Sequence, residues 1–128
     1  AHHWGLRPSE LVFTGHLPWE DLLACYQSSD LFVSMSEHEG FSVPLVESML
    51  FEVPILAYAA GAVPDTLGGA GVLFHEKRYD EIAEMVHVLT TDPAFRRAVV
   101  AGQSQRLQRF RPEQVQGEFL HYIEEVCR

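Results

Sequence analysis

The chain is short of cysteine, of positive charge and of long apolar runs, and each shortage removes a class of function. Its two cysteines, Cys25 and Cys127, lie far apart with no CxxC spacing, which argues against a disulfide framework or a cysteine zinc site and fits a reducing setting. Nine Lys and Arg stand against eighteen Asp and Glu, for a formal charge of -9. Such a surface repels phosphate backbones and anionic headgroups, so no nucleic-acid partner is expected. Any anionic ligand must be held by local geometry. No apolar stretch approaches the length of a membrane span, and the start AHHWGLRP lacks the apolar core and cleavage pattern of a signal peptide.

With 128 residues, 47% of them hydrophobic, the chain is long and apolar enough to bury a core, and residues 1–128 read as a single domain without repeats or linkers. Short apolar runs bounded by turn signals read as buried strands: LVFTG (11–15), LFVSMS (31–36), PILAYA (54–59) and GVLF (71–74). Helical patterns lie between them. PWEDLLACYQSSD places Leu22, Leu23 and Tyr26 on one face; VPLVESMLF groups Leu45, Val46, Met49 and Leu50, with Pro44 suited to the first helical position. This alternation predicts an α/β fold, a Rossmann-like parallel sheet flanked by helices. Beyond GVLF only helices follow. One carries Ile82, Met85, Val86 and Leu89 on a single face; the next opens at Asp92-Pro93 and runs to about residue 109; the last begins at Arg111-Pro112 with a stripe of Val115, Phe119, Tyr122, Ile123 and Val126. Trp4, Trp19 and the phenylalanines fall mostly in apolar patterns and read as core.

In open parallel sheets ligands sit beyond the carboxyl ends of the strands, where loops enter helix N-termini. Residues 37–43, EHEGFSV, occupy that place. Gly40 permits a sharp turn, and the N–H groups of Phe41, Ser42 and Val43 precede a helix whose first turn carries unsatisfied donors and partial positive charge. Such an end binds phosphate without any lysine. Glu47, as the fourth residue of that helix, keeps an acceptor-only carboxylate near the opening, where it can take hydrogen bonds from the two hydroxyls of a ribose or sugar. Glu39 sits on the lip of the loop. The macrodipole also favours acidic residues near a helix start where nothing binds, so spacing alone leaves both readings open. Glu37 and His38 read as solvated.

Taken together, SEHEGFSVPLVESMLFEVPILAYAAGAVPDTLGGAGVLF resembles the donor-binding half of the family 4 retaining glycosyltransferases (group 1 glycosyl transferases), which have the GT-B fold. That family carries S-x-x-E-G-F-G-x-P-x-x-E-A-M-x-x-G-x-P-V, then a G-G-x-P-E loop and a G-x-L strand. Ser36, Glu39, Gly40, Phe41, Pro44, Glu47, Met49, Pro54, Gly61, Pro64, Gly71 and Leu73 fall in register. VFTGHLPWEDLLACYQSSDLFVSMS likewise looks like the family's V-x-F-x-G strand and its continuation.

The resemblance implies an incomplete GT-B C-terminal domain of an enzyme that transfers a sugar, with retention, from a nucleoside diphosphate sugar, GDP- or UDP-linked, to a saccharide or lipid-linked acceptor. It implies no cofactor and no metal. By carry-over Glu39 is the catalytic candidate beside the transferred sugar, and Glu47 holds the donor ribose. The amides of Gly40, Phe41, Ser42 and Val43 meet the sugar or diphosphate, and Gly61, Ala62 and Val63 form the opposing loop. The family's diphosphate-neutralising arginine and lysine, and its N-terminal acceptor domain, come before the matching region, so the isolated chain is expected to be inactive. Arg7, Lys77 and Arg78 do not match those cations. A cytoplasmic location follows, with peripheral attachment at the inner membrane an option for a full-length protein.

Several positions depart from the family pattern. Ser42 and Glu52 replace glycines, so the turn at Glu52 either strains a left-handed residue or closes differently. Asp65 replaces a glutamate and reads as the N-cap of a short helix. The VFTG segment, without the family's intervening strands, is expected to pair directly with another strand or to take its neighbour from a second chain or an absent segment. The exposed sheet edge and the C-terminal helix are the candidate surfaces for self-association.

A non-catalytic nucleotide-sugar-binding or protein-interaction module is the alternative reading. A receiver-like domain ranks lower, since the acidic cluster of such domains is missing. GFSVP is not GxSxG, and neither Glu37 to Glu39 nor His75 to Glu76 has HExxH spacing.

Overall fold

The computed structural model describes Gly5 and residues 7–127. A three-stranded parallel sheet forms from β1 (Phe32–Ser34), β2 (Ile55–Tyr58) and β3 (Val72–Phe74), in the order β1-β2-β3. Phe32 pairs with Ile55 and Ser34 with Ala57 on one side of β2; on the other, Leu56 pairs with Val72 and Tyr58 with Phe74. The helices are α1 (Trp19–Ser28), α2 (Val43–Leu50), α3 (Val63–Leu67), α4 (Tyr79–Thr91), α5 (Pro93–Leu107) and α6 (Pro112–Val126).

Alternation along β2 builds two cores, because successive side chains of a strand point to opposite faces. Ile55 and Ala57 join Leu45 and Met49 of α2 and Val63 and Leu67 of α3 on one face. Leu56 joins Phe74 with Ile82 and Leu89 of α4 on the other. Both faces of the central strand are therefore covered, which accounts for its nearly unbroken apolar sequence and fulfils the α/β expectation.

Helix α5 spans the two layers. Asp92 caps it, its Oδ1 accepting from the N–H groups of Ala94 at 2.8 Å and Phe95 at 3.0 Å, as the Asp-Pro pair predicts. Midway along, the fully buried Gln103 acts as a surrogate strand. Its Nε2 donates to the Val53 carbonyl at 2.8 Å and its Oε1 accepts from the Ile55 N–H at 2.9 Å, satisfying the backbone where the chain enters β2. Near its end the Arg106 guanidinium donates to the carbonyls of Thr66 and Asp65, which end α3. Gly68 closes α3 in the left-handed region with φ 56°, and a Cβ there would strike Arg106, so this contact requires glycine.

Several expectations need correction. Residues 11–15 form no strand and pair with none of the described residues; Val12 is 74% and Phe13 88% exposed. A strand exists only through its partner, and hydrophobicity records the need for one without supplying it. Leu50 lies on the solvent side of α2, and Trp19, Phe41, Phe95 and Phe119 are exposed rather than core; Trp4 lies outside the described residues. Asp65 is the third residue of α3 rather than its N-cap, which is Ala62. The α6 stripe expected at Val115, Phe119, Tyr122, Ile123 and Val126 is present and exposed throughout.

Candidate functional site

Two loops leave the carboxyl ends of β1 and β2 and meet. Residues 35–42 follow β1; residues 59–62 follow β2. The Ala62 N–H donates to the Glu39 carbonyl at 3.1 Å, and Gly61, at φ 54°, lies so close that a Cβ there would sit 2.3 Å from the same oxygen. Glycine at 61 is thus a condition for bringing the loops together. A second tie comes from Thr66, whose buried hydroxyl donates to the Phe41 carbonyl at 2.6 Å. These contacts unite Glu39, Gly40, Phe41, Ser42, Gly61 and Ala62.

The N-terminus of α2 opens from this junction. Its N-cap, Ser42, takes the left-handed conformation (φ 62°, ψ 70°) and makes no side-chain cap. The Ser42 carbonyl accepts from the Leu45 N–H at 3.0 Å, and Pro44 has no N–H to place. Among the described residues no acceptor is found for the N–H groups of Gly40, Phe41, Ser42 or Val43. Four unused donors thus stand at and just before the positive end of a helix dipole. The left-handed residue here is Ser42 and not Gly40: Gly40 has no positive φ, and a Cβ on it would meet no atom within 4 Å. The opposing loop offers less, since the amides of Ala62 and Val63 already donate to Glu39 and Ala60, and the Val63 side chain is fully buried in the core.

Glu47 is the fifth residue of α2, one place later than expected because Val43 already starts the helix. Its carboxylate is half-buried and borders an apolar groove of about 460 Å³ that also touches Phe41, Val43, Phe110 and Arg111. Phe110, in a short 3-10 turn after α5, meets Phe41 edge-on at 5.5 Å. Oε2 of Glu47 accepts from the Tyr26 hydroxyl at 2.9 Å. Tyr26 is buried, stacked at 5.5 Å on Phe51. Burial first, and then the Glu47 bond and charge, push its phenol well above the ordinary tyrosine range, so it stays a donor at neutral pH.

One carboxylate of the rim, Glu37, is already paired. Lys77, the chain's only lysine, lies 2.6 Å from the Glu37 carboxylate and 4.9 Å from the centre of the Tyr58 ring. The Lys77 hydrogen bond holds the Glu37 carboxyl below its ordinary range. Among the described residues no three His, Cys, Asp or Glu side chains gather as a metal site.

Sequence reasoning missed Tyr26 as a partner of Glu47, along with Thr66, Gln103 and Arg106. Tyr26 was legible only as a member of an apolar face, and Gln103 had no signal beyond a polar residue in a helix.

The profile described as "Glycosyl transferases group 1" matches residues 6–106. The chain belongs to the group 1 glycosyl transferases. Among curated relatives it is 35% identical over 101 residues to the Escherichia coli "Serotype-specific mannosyltransferase WbdA", covering 79% of this chain and 12% of that protein. It is 29% identical over 97 residues to the Escherichia coli "O-antigen chain mannosyltransferase B", covering 76% and 26%. With the Arabidopsis thaliana "Sulfoquinovosyl transferase SQD2" it shares 33% identity over 86 residues, covering 63% and 17%. The chain thus spans 12% to 26% of the length of these three transferases. The matched region contains the whole loop junction and α2, and no described helix is long and apolar enough to cross a membrane.

Proposed function

We propose that this chain is the donor-binding part of a retaining glycosyltransferase that takes a hexose from a nucleoside diphosphate sugar, GDP- or UDP-linked. The observation that carries the proposal is the open end of α2: four unused amides at the meeting of two loops, with a carboxylate about one helical turn inside. The amides of Gly40 to Val43 take the diphosphate. Glu47 accepts from the ribose hydroxyls, and Glu39 lies beside the transferred sugar, across from Gly61. In this reaction charge accumulates on the departing diphosphate, and donors fixed before the reaction stabilise it without reorganising. The reading is metal-free, with the amides and the family's upstream cations carrying the charge. The acceptor is a saccharide or lipid-linked sugar held by an N-terminal domain, and the location is cytoplasmic. Because two of the relatives above are named mannosyltransferases, a mannosyl donor is the first to test. The exposed stripe of α6 and the open edge of β1 are the surfaces through which the isolated chain would self-associate.

Calorimetry with UDP, GDP, ADP and their sugars on the full-length protein tests this reading. One diphosphate is expected to bind, and Glu47→Ala is expected to weaken it by at least about tenfold, about 1.4 kcal/mol, as lost charge-assisted hydrogen bonds require. Unchanged affinity on mutation removes Glu47 from the site.

A further inference from the structure

We propose that Tyr26 is a positioning residue for ribose recognition: its hydroxyl fixes one oxygen of the Glu47 carboxylate so that the other faces the diol. The inference rests on the assignment of Glu47 to the donor site made above.

The geometry is one of a buried side chain aimed at a functional one. Tyr26 is 7% exposed, and its ring is clamped by Phe51 at an interplanar angle of 3° and by Phe32 at 6.4 Å. The ring is held between these aromatic neighbours, and its hydroxyl ends on Glu47 Oε2. Among the described residues Oε1 makes no hydrogen bond or ion pair. A glutamate on a helix surface otherwise samples several rotamers, and ordering it on ligand binding costs free energy; a carboxylate already held by Tyr26 has met that cost before the ligand arrives. The phenol suits the task because it keeps its proton and because it adds no charge that would compete with the diol. The hydrogen bond also joins α1 to α2, so a purely architectural role is the rival explanation, and ribose selectivity separates the two.

The test measures the affinity of the full-length protein for GDP and UDP, each against its 2′-deoxy counterpart, in the wild type, Tyr26→Phe and Glu47→Ala. Phenylalanine keeps the ring and its stacking, and a thermal melt close to wild type is expected to confirm that the fold is intact. The wild type is expected to prefer the ribose form by about tenfold, Tyr26→Phe by about threefold or less with unchanged affinity for the deoxy form, and Glu47→Ala not at all. If Glu47→Ala loses the preference while Tyr26→Phe keeps it at the wild-type value, the hydroxyl only ties the helices and the positioning role is overturned. A preference that Glu47→Ala leaves unchanged overturns the donor-site assignment itself.

Discussion

Among the described residues, two that are not glycine occupy left-handed backbone, Ser42 at φ 62° and Glu52 at φ 57°. Glu52 stands at the end of α2 in a Schellman arrangement, with the Val53 N–H donating to the Ser48 carbonyl at 2.9 Å and the Glu52 N–H to the Met49 carbonyl at 3.2 Å. The turn therefore closes in the usual way and strains its left-handed residue, which decides between the two outcomes open from the sequence. Such a conformation costs an L-residue roughly 1–2 kcal/mol. Because the Glu52 side chain is exposed, Glu52→Gly should raise the unfolding free energy by about 1 kcal/mol, measurable by denaturant titration, with no change in the slope of the transition. At this scale the sequence was most informative where the chemistry was local. Glu39, Gly40 and Glu47 share one short segment and could be read together. The Tyr26 hydroxyl reaches Glu47 from another helix, and Gln103 reaches Val53 from 50 residues away. No periodicity encodes such contacts.

The elements follow from patterning where two partners lie close in sequence, and fail where one is distant. Strands β1 to β3 and helices α4 to α6 lie where alternation, caps and prolines put them, because each is fixed by its own residues and an adjacent neighbour. The segment 11–15 has the composition of a strand and, among the described residues, no ladder to join. Lys77 shows how a connection after β3 braces the loop after β1: its ammonium holds Glu37, two residues before Glu39. The sign of the pH effect follows from both partners. Glu37 is depressed, so the pair persists above the ordinary carboxylate range and fails as pH falls through the lowered value. Lys77 is raised, so on the alkaline side the pair fails only as pH rises through the raised value. An NMR titration should find the Glu37 carboxyl below its ordinary value in the wild type and restored to it in Lys77→Met; a Glu37 that titrates alike in both means the ion pair is absent in solution.

On the scale of the whole molecule, acidity and function are reconciled by geometry. On the proposed reading, a chain of net charge -9 holds an anionic donor through backbone amides, which carry partial positive charge wherever a helix opens, irrespective of side-chain balance. The sheet places that opening beyond the carboxyl ends of β1 and β2, and Gly61, Thr66 and Ala62 lock the surrounding loops. The stripe on α6 stays exposed on the described chain, and α6 lies beyond the segment that matches the family, residues 6–106. The most direct measurement is the position of the bound diphosphate, GDP or UDP, in a crystal structure of the full-length protein. Phosphate oxygens are expected on the amides between Gly40 and Val43, and ribose hydroxyls on Oε1 of Glu47. A diphosphate bound elsewhere, with Glu47 facing only Tyr26, would contradict the assignment.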